Sequence, residues 1–166
     1  AILNSYVKES NSKMNLATHD SFMKAFRWAS DRITDNGVIG FVTNGSFVKG
    51  GAADGFRKCL LTEFNSVYCF NLRGNALGGG ELRRKEAGNV FGSGSRTSVA
   101  ITILVKKKGA KHDGCVRYYD IGDYLSRADK LRIISEFGSI EKIQWEYITP
   151  DANNDWLNFR NPNFVS

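Results

Sequence analysis

The sequence predicts an α/β fold, half of a doubly wound sheet, on three observations. Apolar residues recur at helical spacing in three segments, and short apolar runs of strand length lie between them. The elements follow one another as helix, strand, helix, strand, long loop, strand, strand, with a closing helix. Only half is predicted, because a complete nucleotide-binding α/β domain begins with a strand and a glycine-rich turn into a helix. Nothing of that kind precedes residue 20.

Residues 1–18, with Asn4, Ser5, Asn11, Ser12 and Asn15, show no hydrophobic period and read as an incoming connector to a domain at 19–144. From Asp20 to Asp35, Phe22, Phe26, Ala29 and Ile33 form one helical stripe, with Asp20 or Thr18 as cap and Asn36-Gly37 as stop. Val38 to Thr43 is a continuous apolar run, which predicts a strand covered on both faces and hence a parallel sheet. Ala52 to Phe64 spaces Phe56, Leu60 and Phe64 four apart as a second helix, although Gly55 costs its first turn about 1 kcal/mol relative to alanine. Ser66 to Leu72 is the second strand. Thr97 to Lys106 is the third, with Val99, Ile101, Ile103 and Val105 on one face and Ala100 and Leu104 on the other. Lys106 to Gly114 reads as a hairpin-like turn into Val116 to Tyr119, pairing the last two strands antiparallel. Ser126 to Phe137 is a third helix closed by Gly138, and 145–166 reads as the start of a linker.

The 166 residues are 42% apolar, enough to bury a core. No run approaches the ~20 apolar residues of a membrane span, and no signal peptide opens the chain, so a cytoplasmic location is expected. Cys59, Cys69 and Cys115 are far apart, and the histidines are His19 and His112 only, so zinc-ligand spacing is absent and no metal site is expected. The charge is informative because it is concentrated. Residues 73–117 hold 10 Lys/Arg against 3 Asp/Glu, whereas 118–166 hold 5 against 8. A basic block of this kind attracts a polyanion through counterion release, which makes nucleic acid the leading partner.

The loop 73–96 is far longer than a hairpin turn and contains seven glycines. Its charges Arg73, Arg83, Arg84, Lys85 and Arg96 suit phosphate contacts, and its lone aromatic, Phe91, suits either stacking on an unpaired base or plugging the core. Gly92-Ser93-Gly94-Ser95-Arg96 lacks the ending of a triphosphate-binding loop. Asn44 and Ser46 end the first strand, at the edge where open α/β sheets keep their sites. No nucleophile, base and acid come together, so no catalytic residue is expected in this chain.

Trp28 to Ile33, Gly37 to Phe47, Ala53 to Leu60, Phe70 to Asn75, Val90 to Arg96, Asp120 to Arg127, Ile148 to Asp151 and Asp155 to Asn158 together resemble the modification part of the single-chain Type ISP restriction-modification enzymes. The resemblance implies a bacterial parent polypeptide combining nuclease, helicase-like translocase, adenine-amine DNA methyltransferase and target recognition parts. It implies that this chain is the C-terminal half of a Rossmann-like class I methyltransferase sheet, followed by the linker to target recognition. Adenine methyltransferases flip the base out and accept hydrogen bonds from its amine with an Asn-Pro-Pro-Tyr/Phe motif. The sole Asn-Pro here, Asn161-Pro162, is followed by Asn163 and is not that motif. The motif and the S-adenosylmethionine loop are therefore expected upstream, with ATP and magnesium serving the parent's helicase and nuclease parts. The chain alone is expected to be inactive.

The resemblance also implies double-stranded DNA and the rest of the parent as partners, with Phe91 against the flipped base. Two other readings stay open. One is a non-catalytic DNA-binding module; the other is a coupling piece using Trp145, Trp156 and Phe159 against neighbouring domains. Without the strand's usual neighbour, the Val38 to Thr43 edge is expected to pair with a second copy or to be covered by a segment folded over it.

Overall fold

A computed structural model describes residues 2–11, 20–86 and 88–157. Thr18, His19, Phe159 and Asn161-Pro162 lie outside the described residues, as do most of the predicted connector and the last part of the predicted linker.

Five strands, β1 (Asn36–Asn44), β2 (Ser66–Arg73), β3 (Val99–Lys107), β4 (Val116–Asp120) and β5 (Glu146–Ile148), form one sheet in the order β1-β3-β2-β4-β5. Helices α1 (Ser21–Ser30), α2 (Asp54–Glu63), α3 (Gly80–Lys85) and α4 (Arg127–Phe137) complete the unit. The α/β class and every predicted strand and helix are present. The pairing is not what was predicted. β1 and β2 both run antiparallel to β3, which lies between them, and the one parallel pair is β2 with β4. β3 and β4 form no hairpin despite their short connection, because β2 sits between them and the basic turn crosses over it. Asn65 shapes that crossing, its side chain donating to Ala110 O (2.6 Å) and accepting from Lys107 N (2.6 Å).

The two sheet faces are covered unequally. Ala100, Thr102 and Leu104 of β3 are fully buried with Val67, Cys69 and Val116 beneath α1 and α2. The face bearing Ile101, Ile103 and Phe70 packs against α4, with Ile133, Ile134 and Phe137 closing over it. α4 does not reach β1, so Val38 and Val42 stay 67% and 53% exposed. β1 is thus an edge strand open on one face, not the doubly covered strand that its apolar run predicted.

α1 stops at Ser30, short of the predicted Asp35, because Asn36-Gly37 enters the sheet opposite Lys107 and Lys106. Arg27 closes this end, donating Nε to Asp31 (2.8 Å) and both terminal nitrogens to Glu63 of α2 (2.6 and 2.8 Å). Asp20 stands at the N-cap position without a side-chain cap bond. α4 carries a full capping box, with Ser126 and Asp129 satisfying each other's backbone amides.

The described part of the predicted connector is not a linker but part of the core. Tyr6 is buried edge-on against Phe56 (5.0 Å), and the Asp54 carboxylate accepts from Ser10 Oγ (2.5 Å) and Asn11 N (2.6 Å). Gly55 serves this contact, since a Cβ there would lie 2.0 Å from Tyr6 O. The predicted linker is corrected likewise, because β5 pairs with β4 and Trp156 is buried against Phe47 at 5.9 Å. Trp156 therefore offers no face to a neighbouring domain, and Trp145 is half-buried against Tyr68 (5.3 Å).

Candidate nucleic-acid interface

The carboxyl ends of β1 and β2 and the start of β3 meet at one edge, where the 74–98 loop rises over the sheet. Two adjoining clefts open there. The first, of about 270 Å³, is lined by Asn44, Ser46 and Lys49 after β1, Asn71 and Asn75 after β2, and Thr97 and Ser98 before β3. The second, of about 450 Å³, lies within the loop and includes Arg83, Asn89 and Arg96. Glu86 borders both. Its buried carboxylate accepts from Asn75 N (3.1 Å) and faces Lys49 Nζ at 3.4 Å, bridging the β1 turn to the loop.

The loop is held by polar groups because it has few apolar ones. Asn89, which no sequence pattern singles out, donates to Gly74 O (3.1 Å) on one limb and Thr97 O (2.8 Å) on the other. Its Oδ1 accepts from Phe91 N (2.9 Å), fixing the turn that presents the ring. The buried Lys130 of α4 donates to Leu72 O (2.9 Å) and Glu86 O (3.5 Å) beneath the loop. Burial lowers its pKa from the ordinary lysine value, with Glu86 acting in the opposite sense. Gly88 packs on the start of α4 at φ 76°, where a Cβ would meet Leu125 O at 2.5 Å. The short α3, missed in the sequence for want of an apolar stripe, carries Arg83, Arg84 and Lys85 on an exposed ridge.

The five predicted basic residues do not share one role. Arg73 turns inward at φ 56° and donates Nε to Asp120 (2.5 Å) and a terminal nitrogen to Asp123. Burial alone would raise the Asp120 carboxyl; Arg73, Gly122 N and Tyr118 outweigh it and hold the group below its ordinary range. Arg73 is therefore engaged by two carboxylates at the loop's base, unlike Arg83 and Arg96, which line the inner cleft. Arg84 pairs with Glu81 (2.8 Å) and Lys85 lies 3.7 Å from Asp123. Among the described residues Arg83 and Arg96 form no ion pair, and both line the inner cleft. Phe91 is 61% exposed. It plugs no core.

Asn44 Oδ1 accepts from Ser46 N (2.8 Å), so this side chain shapes the turn while Ser46 faces solvent at the first cleft. Among the described residues no cluster of histidine, cysteine or carboxylate side chains has a metal-holding arrangement, and no helix is long and apolar enough to cross a membrane.

Fold and site together define an α/β unit with a basic, loop-walled cleft at the carboxyl ends of β1 and β2, the edge where open α/β sheets hold ligands. Comparison with solved structures makes this specific. The chain is similar over 99% of its length to a nuclease-deletion mutant of the Type ISP restriction-modification enzyme LlaGI in complex with a DNA substrate mimic, at 54% identity and TM-score 0.92. It is similar over 98% of its length to the ATP-dependent Type ISP enzyme LlaBIII bound to DNA, at 39% identity and TM-score 0.90. The same share matches a DrdV–DNA complex at 31% identity and TM-score 0.87. The relationship to Type ISP restriction-modification enzymes that the motifs implied is thus shown across nearly the whole chain. The chain spans 16%, 11% and 15% of the length of those three proteins. No protein-family model and no curated protein matches it.

Proposed function

We propose that this chain is the C-terminal half of the adenine-specific DNA methyltransferase part of a Type ISP restriction-modification polypeptide, and that it supplies the wall facing the DNA and the target base. One observation carries the reading. At the single sheet edge suited to a site, an exposed aromatic ring, Phe91, stands on the loop whose inner cleft holds two arginines unpaired among the described residues, Arg83 and Arg96. The arginines neutralise phosphates and the ring offers a stacking face to an unpaired base. Arg84 and Lys85 add longer-range attraction from the ridge of α3. The similar proteins solved with DNA support DNA as the partner.

S-adenosylmethionine does not fit the residues present. The glycine-rich stretch opens β3 rather than a strand-to-helix turn, and an inner cleft lined by Arg83 and Arg96, unpaired among the described residues, disfavours a sulfonium cation. The cofactor and the amine-accepting motif thus belong to the upstream part of the parent, whose open sheet would continue from the free edge of β1. Titration calorimetry on this chain should show no micromolar binding of the cofactor.

The DNA reading is tested by fluorescence anisotropy with a duplex carrying one unpaired adenine. Phe91→Ala should cost about 1–3 kcal/mol of affinity for it, with the salt slope retained. Arg83→Ala and Arg96→Ala should each flatten the slope of log affinity against log salt by about 0.9 on duplex DNA. An unchanged slope in both arginine variants would remove the phosphate assignment. In the full polypeptide Phe91→Ala should depress methylation more than duplex binding.

A further inference from the structure

The carboxyl-terminal segment is built into the wall of the cleft from behind. Asp151 to Asp155 form a closed turn in which the Asp151 carboxylate accepts from Asn153 N (2.8 Å) and Asp155 N (2.9 Å). Trp156, next in the chain, packs edge-on against Phe47. Phe47 is the middle of the helical turn Ser46–Val48, whose outward side, with Ser46, Lys49 and Gly50, lines the first cleft.

Arg57 of α2 stands between the two segments with only 1% of its surface exposed. One terminal nitrogen donates to Phe47 O (2.7 Å) and Gly50 O (2.6 Å), on the cleft wall. Nε donates to Asn154 O (2.7 Å), and the other terminal nitrogen pairs with the buried Asp155. The planar guanidinium thus divides its N–H groups between two segments about a hundred residues apart. A buried guanidinium tolerates this only while both sets of acceptors stay in place, because any one left unmatched strands a desolvated charge. The wall and the carboxyl-terminal turn are therefore held in one mutual arrangement.

We propose that Arg57 is a positioning residue for the cleft, and that the turn Asp151 to Trp156 is a strut that sets the position of the wall 46–50. Arg57, Asp155 and Trp156 are not among the residues lining the cleft and act through Ser46, Lys49 and Gly50. The mechanical claim stands on these contacts; its effect on DNA rests on the proposed function.

The test is amide hydrogen exchange on the whole chain with Asp155→Asn and Arg57→Lys. The first keeps an acceptor oxygen without its charge; the second keeps the charge without the fork. Amides of 46–50 should exchange about tenfold or more faster in both, while the β2–β3 pairs keep their protection. Unchanged protection at 46–50 while 151–157 loosens would overturn the strut, and so would uniform loss of protection in both variants. Affinity for the duplex with one unpaired adenine should fall by about three- to tenfold with an unchanged salt slope, since no phosphate contact is removed. Local loosening of 46–50 with DNA affinity unchanged would uphold the strut and reject the cleft as the DNA contact.

Discussion

At the scale of residues, arginines that look alike in the sequence are separated by carboxylates elsewhere in the chain. Arg73 and Arg96 flank the same loop, yet Asp120 and Asp123 claim the first while the second keeps no ion-pair partner among the described residues. No local pattern announces this, because the pairing depends on β4 lying beside β2. Arg73→Ala should therefore lower stability by about 1–3 kcal/mol, leaving the Asp120 and Asp123 carboxylates without their cation. Arg96→Ala should change stability by no more than about 0.5 kcal/mol. Equal thermal denaturation shifts in the two variants would contradict this division. The Asp120 shift adds a pH dependence. A carboxyl held below its ordinary range stabilises the fold above its unfolded-state pKa, and that contribution is lost as pH falls through the lower folded value. Melting temperature should thus drop with acidification below the ordinary carboxylate range more steeply in the parent chain than in Arg73→Ala. Parallel curves would show that Arg73 is not what holds Asp120 ionised.

At the scale of elements, what was legible in the sequence was local. The helical stripes of α1 and α2, the glycine that closes α4 and the apolar runs of the strands are properties of neighbouring residues, and each marked a real element. Gly55 shows what local reading misses. Taken alone it weakens the first turn of α2; in the fold it lets the 6–10 segment lie on the helix backbone. Gly55→Ala should accordingly destabilise the protein in spite of a propensity gain of about 1 kcal/mol, because the new Cβ displaces Tyr6 from its place against Phe56. A raised melting temperature would mean that residues 2–11 contribute nothing to the core. The capping box of α4 predicts a loss of the same sign from a purely local cause, with Ser126→Ala costing about 0.5–2 kcal/mol. The loop's internal order was illegible for a related reason. α3 and the Asn89 staple are held by hydrogen bonds between segments, which leave no periodic trace in the sequence, so composition revealed that the loop mattered but not which of its residues face the cleft.

At the scale of the whole molecule, the sheet's strand order decides which surfaces have to be covered. Placing β3 between β1 and β2 leaves β1 with a backbone edge nine residues long that no strand pairs with among the described residues, and with one face beyond the reach of α4. That strand, Asn-Gly-Val-Ile-Gly-Phe-Val-Thr-Asn, contains neither proline nor a charged residue, the devices that ordinarily protect an edge. Next to it lies an apolar groove of about 260 Å³ lined by Tyr68, Ile101, Ile103, Phe137 and Trp145, so the exposed Val38 and Val42 continue a larger unpolar surface. On the proposed reading, in which the chain is half of a larger sheet, this edge is its seam with the other half. In isolation its available equivalent is another copy, paired edge to edge so that the open faces form one continuous surface. Sedimentation of the isolated chain should accordingly show concentration-dependent self-association. Val42→Lys puts an ammonium on the open face without disturbing Ile39 and Phe41 on the covered one, and should return the chain to a monomer while changing stability by no more than about 0.5 kcal/mol. The same substitution in the full polypeptide should be far more damaging if the seam is closed there, because the charge would then be buried without a partner. A monomeric isolated chain, together with a full polypeptide indifferent to Val42→Lys, would show that this edge faces solvent in both.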